Sequence, residues 1–188
     1  YVPLVATIVP SKLPKVQVAD STTAVPPAGT DISNGTPTAV EFTPSAVSSG
    51  TSVTRNFSVK NGGYETLAIA PTTATFTPDA NTTAGVFSIM PFVDEADAGN
   101  TDTSAVTISP PPPSGCNSSG STKDYSKMDI TFIAPVVTKE TVFGGTVCFQ
   151  SNDNLAAGSA ATVDFCFPVT ATVYPPPPTN PEIDVYDG

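Results

Sequence analysis

Three observations predict an all-β fold, a sandwich of short strands. With 21 prolines and 13 glycines in 188 residues, the chain is interrupted too often for long helices. Thr, Ser, Val and Ala are abundant while Leu, Lys, Glu and Arg are scarce, a composition that favours extended backbone. Brief runs of alternating apolar and polar residues recur at short, regular spacing, and no segment repeats with a helical period. A hydrophobic content of 39% supplies a core for a chain of single-domain length.

Taken in order, residues 1–9 read as a strand that runs into Pro10. Their pattern returns at the far end. Laid over "VPLVATIVP" (2–10), "FPVTATVYP" (167–175) aligns Pro3 with Pro168, Ala6 with Ala171, Thr7 with Thr172 and Pro10 with Pro175, and "PKVQVAD" (14–20) falls on "PEIDVYD" (181–187). Two segments repeated in the same order, about 165 residues apart with two extra residues in the second linker, predict one unit of a tandem array, with chance similarity between Pro-flanked strands as the alternative. Residues 1–9 are then the last strand of a preceding repeat, 10–14 a linker, 15–174 the sandwich, 175–181 a Pro-rich linker and 182–188 the start of the next repeat.

Within the sandwich, Lys15–Ala19 reads as a short edge-like strand, followed by a Pro/Gly/Ser/Thr-rich connection through Pro37. "TAVEFT" (38–43) and "SVTRNFSVKN" (52–61) alternate, the latter turning Val53, Phe57 or its neighbours, and Val59 toward a core. Asn61-Gly62-Gly63 offers the positive φ values of a tight turn, after which "YETLAIA" returns. "TATFTP", "GVFSIMPF", "TSAVTIS", "YSKMDITFIA", "TVFGGTVCFQS" and "TVDFCFPVTATVY" complete the strands.

In the last two, Val147 and Phe149 share one face and leave Cys148 on the other, while Val163, Phe165, Phe167 and Val169 share one face and leave Cys166 opposite. Strands paired around "SNDNLAAGSAA" bring Cys148 and Cys166 across from each other, within reach of a disulfide. Separate thiols are the alternative, because pattern alone does not set register. Cys116 is left to pair with another subunit or repeat.

Seven basic against 17 acidic side chains, a net charge of −10, make nucleic acid and anionic membranes poor partners for this surface. No apolar run of about 18 residues is present, so no membrane insertion is expected in this stretch. There is no histidine, hence neither the usual general base nor the commonest metal ligand. The cysteines lack metal spacing and the serines a recognisable base, so no catalytic residue, cofactor or metal is assigned and the protein is not expected to be an enzyme. "DEADAGNTD" gathers Asp94, Glu95, Asp97, Asn100 and Asp102 around Gly99, enough oxygens for calcium but without EF-hand spacing. An acidic solvated loop is the plainer reading. Asn34, Asn56, Asn81 and Asn117 each open an N-glycosylation sequon. Asn117 is the most exposed by context, and Asn56 lies within a predicted strand, where it serves only if it faces outward.

"NFSVKNGGYETLAI" resembles the early strands of Hydin-type immunoglobulin-like domains, the ASH-like group, and "MDITFIAP…GGTVCFQSND…VDFCFPVTATV" resembles their closing strands. The likeness spans about residues 52–70 and 128–173 and is broken in the middle by the acidic and proline loops. It implies an immunoglobulin-like β-sandwich. "SPPPPSGC" (109–116) is similar to the extensin-like motif of hydroxyproline-rich glycoproteins of plant and green-algal walls and appendages. That resemblance implies hydroxylation and short glycans on Pro110, Pro111, Pro112 and Pro113. "YPPPPTNP" (174–181) reads as a stiff polyproline spacer.

The expectation is a non-catalytic, load-bearing repeat of an extracellular filament, wall or appendage glycoprotein, with the hair filaments of algal flagella (mastigonemes) as an assembly of fitting composition. Its partners are neighbouring repeats, other copies of the protein and covalent glycans. The alternatives are a pilin-like subunit donating residues 1–9 as a strand and a calcium-dependent adhesin module.

Overall fold

The computed structural model describes residues 13–22, 29–42, 47–48, 50–94, 106–110, 125–155 and 160–176. Residues 1–9, most of the 10–14 linker, the loop beyond Asp94, Cys116, Asn117, Pro111 to Pro113 and residues 177–188 lie outside them. Among the described residues eleven strands follow one another: β1 Val16–Asp20, β2 Thr30–Ile32, β3 Val40–Glu41, β4 Val47–Ser48, β5 Ser52–Asn61, β6 Leu67–Pro78, β7 Phe87–Asp94, β8 Val106–Ile108, β9 Tyr125–Ile133, β10 Thr141–Ser151 and β11 Val163–Tyr174. One sheet has the order β2-β1-β5-β9-β7, and the other β3-β11-β10-β6-β8 with β4 also on β11. The orders β1-β5-β9-β7 and β11-β10-β6 are the ABED and GFC sheets of an immunoglobulin sandwich.

Strict alternation builds the core. Along β9, Ser126, Met128, Ile130 and Phe132 are buried, and along β11 so are Phe165, Phe167, Val169, Ala171 and Val173. Phenylalanines from the two sheets meet between them: Phe57 lies 5.3 Å from Phe167, and Phe92 5.1 Å from Phe149, centroid to centroid. Val163, by contrast, stays exposed at the start of β11.

Two local expectations are corrected. The first strand is not at an edge: β1 pairs with β5 on one side and with the three-residue β2 on the other. Nor does Asn61-Gly62-Gly63 form a positive-φ hairpin, because neither glycine has positive φ and β5 and β6 belong to different sheets. The chain crosses the sandwich there, and the glycines admit close neighbours. A Cβ on Gly63 would lie 2.1 Å from Leu13 O, and one on Gly62 would meet the Gln17 side chain.

The strand directions set a polarity. Val16 at the start of β1 pairs with Asn61 at the end of β5, and its N–H donates to Asp153 Oδ1, just past the end of β10. The end of β11 lies at the start of β10, where Val173 pairs with Thr141. The chain therefore enters the sandwich at one pole and leaves at the other, roughly 35 Å apart along an 11-residue strand.

Candidate functional site

Cys148 and Cys166 are direct cross-strand partners and are disulfide-bonded, with Cα atoms 4.2 Å apart. The N–H of Cys166 donates to Asn34 Oδ1 at 2.8 Å and its carbonyl accepts from Gly35 N at 2.8 Å. Its backbone groups thus point away from β10, which makes the cysteine pair the closely spaced, non-hydrogen-bonded kind. The cystine sits on the outer face of the sheet, opposite the buried Phe165 and Phe167.

Residues 34–42 and β4 line β11 on its outer edge, β3 and β4 running parallel to it. Val40 and Glu41 pair with Val169 and Thr170, Phe42 N donates to Thr170 O at 2.7 Å, and Val47 and Ser48 pair with Val173 and Tyr174. Asn34 extends this ladder with its side chain, Nδ2 donating to Asp164 O at 3.1 Å beside the Oδ1 contact. An exposed strand edge is covered in this way.

A web of amides fixes the N-terminal pole. Asn61 is buried and fully used: Oδ1 accepts from Gly63 N and Lys15 N, and Nδ2 donates to Glu65 O and Ile108 O. Asn152 pairs with β6 through Oδ1, which accepts from Ala68 N, and Nδ2, which donates to Thr66 O. Asn154 N donates to Pro14 O, in a residue with φ of 55°. The "SND" turn thus ties the end of β10 to the incoming chain.

Arg55 occupies a core-facing position opposite Ile130, in the alternation that turns Val53, Phe57 and Val59 inward. Its guanidinium bridges the sheets, pairing with the Asp20 carboxylate on β1 and donating to Glu41 O on β3, 5.9 Å from the Phe42 ring centroid. These side chains are only 19% and 10% exposed for Arg55 and Asp20. The signal for this residue in the sequence is period-two alternation, which puts it in phase with Val53 and Phe57 although it is charged. A cleft of about 470 Å³ opens beside it, between β2 and β3.

No family model matches the sequence, and no curated protein matches it. Among solved structures the chain is similar to the ASH / PapD-like domain of human CEP192 (PapD-like domain 7), at 10% identity, covering 94% of this chain and 96% of that one with a TM-score of 0.50. The fold is immunoglobulin-like. At that identity the likeness is one of fold, and at this level it agrees with the ASH-like resemblance of "NFSVKNGGYETLAI" and the closing strands. Immunoglobulin-like sandwiches of this kind are typically non-catalytic.

The sequons fall in different settings on this sandwich. Asn34 and Asn56 use their amide nitrogens, the latter donating to Asp129 Oδ1 at 2.7 Å. Asn81 is exposed in the turn between β6 and β7. Pro110 follows β8, half-buried. Among the described residues no group of three or more His, Cys, Asp or Glu could hold a metal, and the Asp94 to Asp102 loop lies outside them beyond Asp94.

Proposed function

We propose that this chain is a non-catalytic, load-bearing repeat of an extracellular structural glycoprotein, an immunoglobulin-like sandwich joined to its neighbours by Pro-rich linkers. The observation that carries this reading is the placement of Lys15 and Tyr174 at opposite poles. Force entering at one end crosses the sandwich along its strands and leaves at the other. Pulled that way, β11 and the parallel β3 and β4 slide in opposite directions, so their hydrogen bonds are loaded together. The Cys148–Cys166 bridge favours an oxidising compartment. Polyproline at 175–178 holds the spacing to the next unit, and hydroxylated, glycosylated Pro110–Pro113 would suit a wall or appendage protein.

The pilin-like alternative is less well supported. Residues 163–174 of the same chain already supply the closing strand between β10 and the β3–β4 edge. Among the described residues a donated strand finds no vacant place in either sheet and could add only at an outer edge.

Immunogold labelling of intact cells with an antibody to the sandwich, joined to the denaturing mass of the native antigen, tests the proposal. It expects label on unpermeabilised cells and an antigen several-fold heavier than 19.2 kDa. Label that needs permeabilisation would contradict it.

A further inference from the structure

We propose that Asn81 is the N-glycan acceptor among the described sequons, and that Asn34 and Asn56 are structural amides whose sequons go unused. The inference rests on the reading of the chain as a secreted glycoprotein. A sequon is used when its asparagine Nδ2 and the hydroxyl two residues on are both reachable and the folded protein tolerates the sugar.

Asn34 does not tolerate it. Its Oδ1 and Nδ2 bond side by side to the N–H of Cys166 and the carbonyl of Asp164 on one strand edge. An amide makes such a pair only with the Nδ2 hydrogen that lies syn to Oδ1. In a planar trans N-glycosidic amide the anomeric carbon takes that syn position, so sugar and strand pairing exclude each other. At Asn56, Nδ2 donates to Asp129 Oδ1, and the sequon hydroxyl belongs to Ser58, which is fully buried and bonded to Ser21 Oγ at 2.9 Å.

Asn34 is exposed as Asn81 is, and what separates them is the use each makes of its side-chain amide. Asn81 sits third in the turn Asp79–Thr82, whose backbone is held without its side chain: Asn81 N and Thr82 Oγ1 donate to Asp79 Oδ1, Thr82 N donates to Asp79 O, and Thr82 Oγ1 accepts from Gly144 N. The side chains of Asn81 and of Thr83, the sequon hydroxyl, are exposed. The turn is thus presented to solvent yet anchored to β10. In the transfer, Nδ2 attacks the anomeric carbon of a polyprenyl-diphosphate-linked oligosaccharide. The N–C bond forms as the C–O bond to diphosphate breaks, the polyprenyl diphosphate leaves with the bonding pair, and Nδ2 gives up one proton to a base of the host's transferase. The glycan stands toward the C-terminal pole, in the turn that follows β6 and is bonded to Gly144 of β10.

The test secretes the whole 188-residue chain from a eukaryotic host and removes N-glycans with an amidase in ¹⁸O-water, which marks each occupied asparagine as labelled aspartate. The expected result is label at Asn81 several-fold above that at Asn34 or Asn56 in the folded, secreted fraction. Thr83→Ala should abolish it without moving the melting temperature, since only the Thr83 backbone is hydrogen-bonded. Secreted, folded protein lacking label at Asn81, or carrying comparable label at Asn34 or Asn56, overturns the inference. The same mapping on native antigen separates the two readings: an unmodified native Asn81 beside a labelled host-made one contradicts secretion and upholds the choice among sequons.

Discussion

The side chain of Asn34 pairs with the backbone of Cys166, Oδ1 accepting its N–H at 2.8 Å while Nδ2 reaches Asp164 O at 3.1 Å. One residue thereby extends the parallel edge segment and holds the strand that carries half of the cystine. Replacing Nδ2 by oxygen in Asn34→Asp sets a carboxylate against the Asp164 carbonyl. It should cost about 1 kcal/mol in denaturant unfolding, the size of a hydrogen bond lost at an exposed edge. Thr36→Ala, which destroys the same sequon but not the clamp, should shift stability by less than about 0.5 kcal/mol.

Reduction isolates the contribution of the cystine. The bridge joins residues 18 apart in sequence, and on the chain-entropy model it stabilises by about 3 kcal/mol. The Cys148→Ser/Cys166→Ser protein and the reduced protein should therefore unfold at the same lower denaturant concentration. Equal stability with and without reductant would show that the bridge is absent.

Arg55 and Asp20 form a largely buried pair. Arg55→Ala leaves the Asp20 carboxylate without its partner and should destabilise by about 3 kcal/mol. The double replacement Asp20→Asn/Arg55→Leu should recover most of that loss, because no uncompensated charge remains between the sheets. Chemical denaturation of both proteins decides the matter.

At the crossing from β5 to β6, Gly63→Ala should destabilise markedly and Gly62→Ala little. The first forces Cβ onto the Leu13 and Lys15 backbone, while the second displaces only the mobile end of Gln17. A tight turn needing positive φ at either glycine would reverse or equalise the two, as thermal melts would reveal.

Much of this was legible from alternation alone. "SVTRNFSVKN" marks β5 from end to end, and the phases of "TVCFQ" and "VDFCFPV" put both cysteines outward and Phe149, Phe165 and Phe167 inward. What period-two reading could not reach was which sheet receives the next strand. Asn61-Gly62-Gly63 carries turn chemistry, yet the chain uses it for a crossing because Asn61 satisfies four backbone groups from three other segments. Arg55 was hidden for a related reason: alternation puts it in phase with Val53 and Phe57, but the groups that receive its charge, Asp20 and Glu41 O, are distant in sequence. The two-residue strands β3 and β4 are held by β11 rather than by their own pattern.

Single-molecule pulling tests the load-bearing account most directly, with handles at Lys15 and Tyr174 compared with handles at Thr141 and Tyr174. The first pair loads the β3–β4–β11 edge in shear, and the second peels the neighbouring ends of β10 and β11 one bond at a time. The account predicts one cooperative rupture through Lys15 and Tyr174 at a force several-fold above that of peeling, with the released length growing by about 6 nm on reduction as the cystine loop is freed. Gradual extension through Lys15 and Tyr174 at no greater force than peeling would contradict it.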